Sequence, residues 1–233
     1  MSNSKTRRIL IVTDSLGFPR KEPEFVNYEH TYVARLKERF PHFDFIHLGR
    51  GGATIAELFD MTWYYQETLC PDIVFIQSGI VDCAPRALTL GENRLLSLLP
   101  LARKPVFYVV RKLSRFLRFV RKITYTSPES FSKYVQRFND AFDNIYWIGI
   151  LPASDGYEAK LSGVSENIFK FNQILSCHKF ISTSKIEVAD VMSDFHHPNI
   201  AGHEKIFDLL SEVVIRELGS AGKGGAELFS VLN

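Results

Sequence analysis

The 233 residues are 45% apolar and 23% charged, the composition of an ordinary globular chain long enough to bury a full core rather than of a disordered or fibrous one. No apolar run reaches the ~18 residues of a membrane span, and the opening MSNSKTRR has no apolar signal core, so export is not expected and a cytoplasmic location is. The net charge of +2 is unevenly spread: eight cations fall between residues 103 and 122, leaving 20 basic against 26 acidic residues elsewhere. Three cysteines, Cys70, Cys83 and Cys177, are odd in number and widely spaced, which reads as reduced thiols.

In chain order, residues 9–12 (Ile-Leu-Ile-Val) are short, β-branched and unalternating, as in a parallel strand buried on both faces. That strand runs into Asp14-Ser15-Leu16-Gly17, a turn at the strand end where open α/β sheets hold ligands. Read alone, Ser15 also fits a loop serine capping the next helix. An amphipathic helix is expected over 28–40, a strand over 43–48, and a helix over 54–68 after the Gly51-Gly52 turn. A third strand over 73–77 leads into QSGIVDCAPR.

Residues 103–125 interrupt the alternation. They read either as a strand over 106–110 running into a helix or as one long helix. From Arg111 onward, Arg111, Arg115, Arg118 and Lys122 share one helical face, and Leu113, Phe116, Leu117 and Val120 share the other. This fits a basic amphipathic helix lying on an anionic membrane, or a surface helix packing Phe116 and Leu117 on the core. No nucleic-acid-binding motif accompanies the cations, so nucleic acid is not an expected partner. Downstream, a helix over 128–142 opens with Ser-Pro-Glu, followed by a strand over 145–151, a helix over 164–178, a strand over 186–191 and a helix over 200–218. The glycine-rich tail 219–233 is expected to be loosely held.

Five strands alternating with helices predict a three-layer α/β/α sandwich around a five-stranded parallel sheet, flavodoxin-like in form. The expected organisation is a single domain over 1–218 with a basic insertion at about 103–125.

The chemistry concentrates in VMSDFHHPNIAGHEKI near the C-terminus. A serine becomes a nucleophile beside a base, and the base needs an acceptor to hold its tautomer. Asp194 and His197 stand three apart in a turn, and a parallel sheet opens all its strand C-termini at one edge, where Ser15 also lies. Two alternatives use the same residues: a metal site from Asp194, His196, His197 and His203, or a helix N-cap at Asn199 with structural histidines.

The four strand-end turns resemble the four blocks of the SGNH/GDSL hydrolase superfamily. VTDSLG resembles the nucleophile block, LGRGGATI the second, SGIVD the third and DFHHPN the fourth. The resemblance runs from residue 8 to about 215 and implies an SGNH hydrolase fold with Ser15, His197 and Asp194 as catalytic triad. It also implies an oxyanion hole from the backbone N–H groups of Ser15 and Gly52. Thr13 stands where the first block has glycine, and Val81 where the third has the asparagine that donates to the oxyanion. Removing one such donor costs on the order of 10²–10³ in rate, so Arg50, Gln77 and Arg86 are candidate substitutes, with Asp14 and Val81 as further site contacts. The resemblance implies a serine ester hydrolase with no cofactor and no metal. The expected substrate is a small-molecule or glycan ester such as an acylated surface-polysaccharide precursor, met at the inner membrane face through Arg111, Arg115, Arg118 and Lys122. An O-acyltransferase, a lysophospholipase-like lipase and a non-catalytic binding module are the alternatives on the same fold.

Overall fold

The computed structural model describes residues 7–98 and 100–220. Strands β1 (Arg8–Thr13), β2 (Asp44–Gly49), β3 (Ile73–Gln77), β4 (Ile145–Ile148) and β5 (Phe180–Ile181) form one parallel sheet in the order β2-β1-β3-β4-β5. The first helices are α1 (Tyr32–Arg39), α2 (Ile55–Thr62), α3 (Gln66–Leu69), α4 (Ile80–Cys83) and α5 (Leu90–Ser97). They are followed by α6 (Pro100–Arg121), α7 (Pro128–Ala141), α8 (Asp155–Lys160), α9 (Val164–Ser176) and α10 (Ile200–Ser220).

The sheet separates two cores because strand side chains alternate between its faces. Leu10, Val12, Val74, Ile76 and Trp147 pack with α2, α7 and α9. Ile9, Ile11, Phe75, Tyr146 and Ile148 pack with α1 and α10. Every side chain from Ile9 to Val12 is fully buried, the reason the run shows no polar alternation. The expected three-layer α/β/α architecture with its five-stranded parallel sheet is the one found.

Four local expectations are corrected. The fifth strand is Phe180–Ile181 rather than 186–191, where a 3-10 turn (Val188–Asp190) forms instead. Glu187 and Asp190 cap each other's backbone there, and Lys205 Nζ lies 2.6 Å from Asp190 Oδ2, so local bonds replace a sheet ladder. The helix expected over 28–40 begins only at Tyr32, with Thr31 as N-cap, and a separate 3-10 turn covers Tyr28–His30. The one expected over 54–68 stops at Thr62, whose hydroxyl donates back to the Leu58 and Phe59 carbonyls, and Trp63–Tyr65 form a 3-10 turn. The helix expected over 200–218 continues to Ser220, and residues 221–233 of the expected tail lie outside the described residues.

The basic segment is one helix, α6, so no strand forms over 106–110. The core-packing reading of Phe116 is also overturned. Leu113, Phe116 and Val120 are 47, 63 and 58% exposed, and Tyr108 and Val109 join them on the outer face. Leu117 is half-buried. Arg121 turns inward, with bonds of 2.7 Å to Glu92 and 2.8 Å to the Ala87 carbonyl, while Arg115 donates to the Ala159 carbonyl. Arg121 and Arg115 therefore tie the helix to the domain, while Lys112 stays exposed beside the apolar side chains. The Arg111 side chain lies outside the described residues.

The contrast between core and α6 is measurable by urea denaturation. Phe138 meets Phe59 and Trp147 edge-on at ring distances of 5.0 and 5.7 Å. Phe138→Ala is expected to cost about 3–5 kcal/mol, whereas Phe116→Ala should stay within about 0.5 kcal/mol of the parent.

Candidate active site

The turn after β1 is built to stop the strand and present Ser15. Asp14 ends the run and accepts the Leu16 N–H at 2.9 Å, capping a 3-10 turn over Ser15–Gly17. Gly17 is required by close approach, since a Cβ there would sit 2.6 Å from Thr13 Oγ1. Thr13 itself pairs sideways with His47 Nε2 at 2.8 Å and so belongs to the wall between β1 and β2.

The turn before α10 supplies the partners. His197 Nδ1 lies 2.6 Å from Asp194 Oδ2, and the same carboxylate accepts the His197 and His196 N–H groups. A carboxylate only accepts, so Nδ1 carries the proton and Nε2 presents its lone pair. Ser15 Oγ sits 2.9 Å from that Nε2. Burial raises the Asp194 carboxyl, but the His197 hydrogen bond and the His196 charge outweigh it and hold the group well below the usual carboxylate range. Between Asp194 and His196, Phe195 adopts φ +77°, a conformation that costs a side-chain-bearing residue energy, and its ring stacks on Tyr157 6.0 Å away. Residues 182 apart in the chain are thus brought into one hydrogen-bonded row.

The second and third turns lie at the same sheet edge. Arg50–Ala53 forms a tight turn closed by a 3.2 Å Ala53 N–H to Arg50 carbonyl bond, with Gly52 at φ +73° where such a turn demands glycine. A Cβ on Gly51 would approach Ser15 Cβ to 3.9 Å, so this turn lies against the serine. Asp82, from the third turn, accepts the Ile55 N–H at the start of α2 and the hydroxyls of Ser78 and Thr126. It pins the second turn to the third, and burial raises its carboxyl to about 6.

The remaining candidates divide. Gln77 is buried and accepts the Tyr32 hydroxyl at 2.7 Å. Arg50 is solvent-exposed, 3.5 Å from Glu57. Val81 packs against the apolar core and offers no polar side-chain atom. Arg86 reaches back to the Val81 carbonyl at 3.1 Å while its guanidinium covers the Tyr125 ring at 4.3 Å. Asn199 does cap α10, its Oδ1 accepting the Gly202 N–H at 3.1 Å. His203 is buried against Tyr32 and, among the described residues, joins no ligand cluster. Asp194, His196 and His197 do place donor atoms within 4.8 Å of one another. Two of the three are already committed to the serine row, and His196 Nδ1 faces the Asp194 carbonyl at 3.1 Å.

One residue escaped sequence reasoning. Arg20 Nη1 stands 2.8 Å from His197 Nε2, competing with Ser15 for the same lone pair. Its only sequence signal is a cation five residues past the serine, and its position depends on how the 20–26 loop folds back.

No protein-family model matches the sequence, and no curated protein does. Solved structures do share the fold. A lipase/acylhydrolase from Enterococcus faecalis superposes with a TM-score of 0.58 at 15% identity, over 89% of this chain and 95% of that one. A member of the lipolytic protein G-D-S-L family from Veillonella parvula gives 0.56 at 14% identity, over 90% and 99%. The psychrotrophic esterase EstA from Pseudoalteromonas sp., in a structure inhibited by monoethylphosphonate, gives 0.53 at 15%, over 91% and 99%. At such identities the likeness establishes the fold alone: the α/β/α fold with a five-stranded parallel sheet that these lipolytic proteins share with this chain.

Asp14 offers a direct test of the buried turn. Burial pushes its carboxyl up to about 7, against the Leu16 N–H, which favours the carboxylate, and with a further push from Asp82. The folded chain therefore keeps the Asp14 proton to near neutrality while the unfolded chain releases it near 3.8, so wild-type stability is eroded as pH rises through that window. Asp14→Asn, which keeps an acceptor for Leu16, should gain about 2–3 kcal/mol on wild type between pH 5 and pH 8 in urea melts.

Proposed function

We propose that this chain is a serine ester hydrolase of the SGNH/GDSL type. The observation that carries the reading is the row Ser15 Oγ, His197, Asp194, with separations of 2.9 and 2.6 Å. In the proposed reaction Ser15 attacks the ester carbonyl and its proton passes to His197 Nε2, while Asp194 holds the ring and stabilises the imidazolium. The backbone N–H groups of Ser15 and Gly52 face the developing oxyanion. The Nε2 proton then passes to the leaving alcohol as the C–O bond breaks. Water, deprotonated by His197, then adds to the acyl carbonyl; the bond to Ser15 Oγ breaks, His197 returns the proton to Oγ, and the carboxylic acid leaves the free enzyme. With Val81 in place of an amide, the proposed oxyanion hole relies on backbone donors, which predicts a slower acylation step than a three-donor site would give.

The preferred substrate is an acyl ester of a carbohydrate, such as a surface-polysaccharide precursor, handled by a cytoplasmic enzyme at an anionic membrane face. Among the described residues no helix is long and apolar enough to cross a membrane. Support for peripheral contact comes from α6, where Val109, Leu113, Phe116 and Val120 stand exposed beside Lys112 and Arg115. Each cation near such a surface contributes about 1 kcal/mol. Cosedimentation should therefore recover the protein with phosphatidylglycerol vesicles and not with phosphatidylcholine ones. Phe116→Asp combined with Leu113→Asp should release it.

The hydrolase reading is tested with a fluorophosphonate. Intact mass should show one adduct on wild type that Ser15→Ala and His197→Ala both lose, and short-chain ester turnover should fall on the order of 10⁴-fold or more in each. A folded wild type that takes no adduct would favour a non-catalytic binding module instead.

A further inference from the structure

Arg20 is held with unusual firmness for a loop arginine. Its backbone N–H and carbonyl both pair with Val26 at 2.8 Å, and its Nε donates to the Glu22 carbonyl at 3.1 Å. The loop is fastened to the histidine turn by the Glu24 carboxylate, whose two oxygens accept the Ser193 N–H at 3.0 and 3.2 Å. These contacts aim one guanidinium nitrogen at His197 Nε2. Among the described residues no carboxylate pairs with Arg20, since Glu24 is engaged elsewhere and Asp194 is taken by His197. A permanent cation without a counter-ion thus stands at the proposed reaction centre.

Its placement relative to the reacting atoms is informative. In an acyl transfer the carbonyl oxygen turns toward the backbone donors and the leaving oxygen toward the base that will protonate it. A group bound by Arg20, 2.8 Å from Nε2, therefore belongs to the alcohol side of the ester and not to the acyl side. The contact has a second consequence. Nε2 has one lone pair, and while a guanidinium N–H occupies it the Ser15 proton cannot be taken up.

We propose that Arg20 is a specificity residue for esters whose alcohol carries an anionic group beside the scissile oxygen, a phosphate or carboxylate, and that this anion draws Arg20 off His197. The proposal rests on the hydrolase reading. A phosphate accepts the guanidinium better than an imidazole nitrogen does, because two of its charged oxygens match the planar fork, whereas Nε2 offers one neutral lone pair. Once Arg20 has moved, Nε2 is left to Ser15 alone. Ser15 and Arg20 share Nε2 in the free chain, and the right alcohol leaves it to the serine. The phosphate can belong to a sugar phosphate or to a lysophospholipid headgroup, and the chemistry at Arg20 is the same for both.

The test compares 2-O-acetylglucose 1-phosphate with methyl 2-O-acetylglucoside, and adds 1-acylglycerol 3-phosphate to distinguish a lipid source. Wild type should prefer the sugar phosphate ester roughly 10- to 100-fold in kcat/KM, the worth of one charge-assisted contact. Arg20→Gln should bring that ratio near one by lowering the phosphate ester and raising the neutral one, and Arg20→Lys should restore part of the preference. A preference for the lipid phosphate over the sugar phosphate, lost equally in Arg20→Gln, would support the anion reading and assign the source to lipid. Labelling and turnover without any charge preference, or a preference that survives Arg20→Gln, would overturn the Arg20 inference and leave the hydrolase standing. Absence of both labelling and turnover in wild type would overturn the hydrolase and this inference with it.

Discussion

The contact on which the rest of the architecture turns is the hydrogen bond between Ser15 and His197, which joins the first strand to the last turn. A parallel sheet makes that contact feasible, because right-handed crossovers return each strand to the same starting edge and leave every C-terminal end at the other. The two cores hold that edge in place. Ile9, Leu10, Ile11 and Val12 divide their side chains between them, so β1 cannot slide without opening both. Ser15 therefore stands two residues beyond a strand packed on both of its faces.

Around that contact three buried or half-buried carboxylates take different parts. Asp194 is surrounded by donors and is held ionised. Asp14 and Asp82 sit deeper, with burial as the leading cause, and both are raised toward neutrality. The difference lies in what each accepts. Asp194 faces an imidazole that gains from its charge, whereas Asp14 has one backbone N–H and a second oxygen, Oδ2, without a partner. Asp82 spends its oxygens on the Ile55 N–H and on two hydroxyls, and so serves to fix the geometry between the second and third turns. Chemistry and scaffolding are thus divided between carboxylates within one small region.

Two arginine-bearing elements lie outside this division. In α6, Arg121 turns toward the domain, where Glu92 and the Ala87 carbonyl meet it, and Phe116, Leu113 and Val120 are left outside with Lys112. Exposed apolar side chains beside exposed cations set α6 apart from an ordinary surface helix, whose apolar face packs on the core. Arg20 is the smaller case, a single cation carried by a loop to within 2.8 Å of His197 Nε2.

Much of this was legible in the sequence. The unalternating run before Asp14 marked a doubly buried strand, Gly51-Gly52 marked a tight turn, and Asp194 with His197 marked a turn able to orient an imidazole. Each signal is local: a pattern over four to eight residues restricts which backbone conformations and burial states are possible. The errors were local too, at 186–191 and after Thr62, where side-chain bonds to the nearby backbone outweighed apolar patterning. What only the tertiary structure decided was which faces are covered and which distant groups meet. Periodicity showed that α6 has two faces but not which one the domain would cover, because that depended on Glu92 and the Ala87 carbonyl waiting beside it. Nor did the sequence announce Arg20, since a hydrogen bond across 177 residues is set by two loops closing over one sheet edge, and no pattern along the chain encodes that distance.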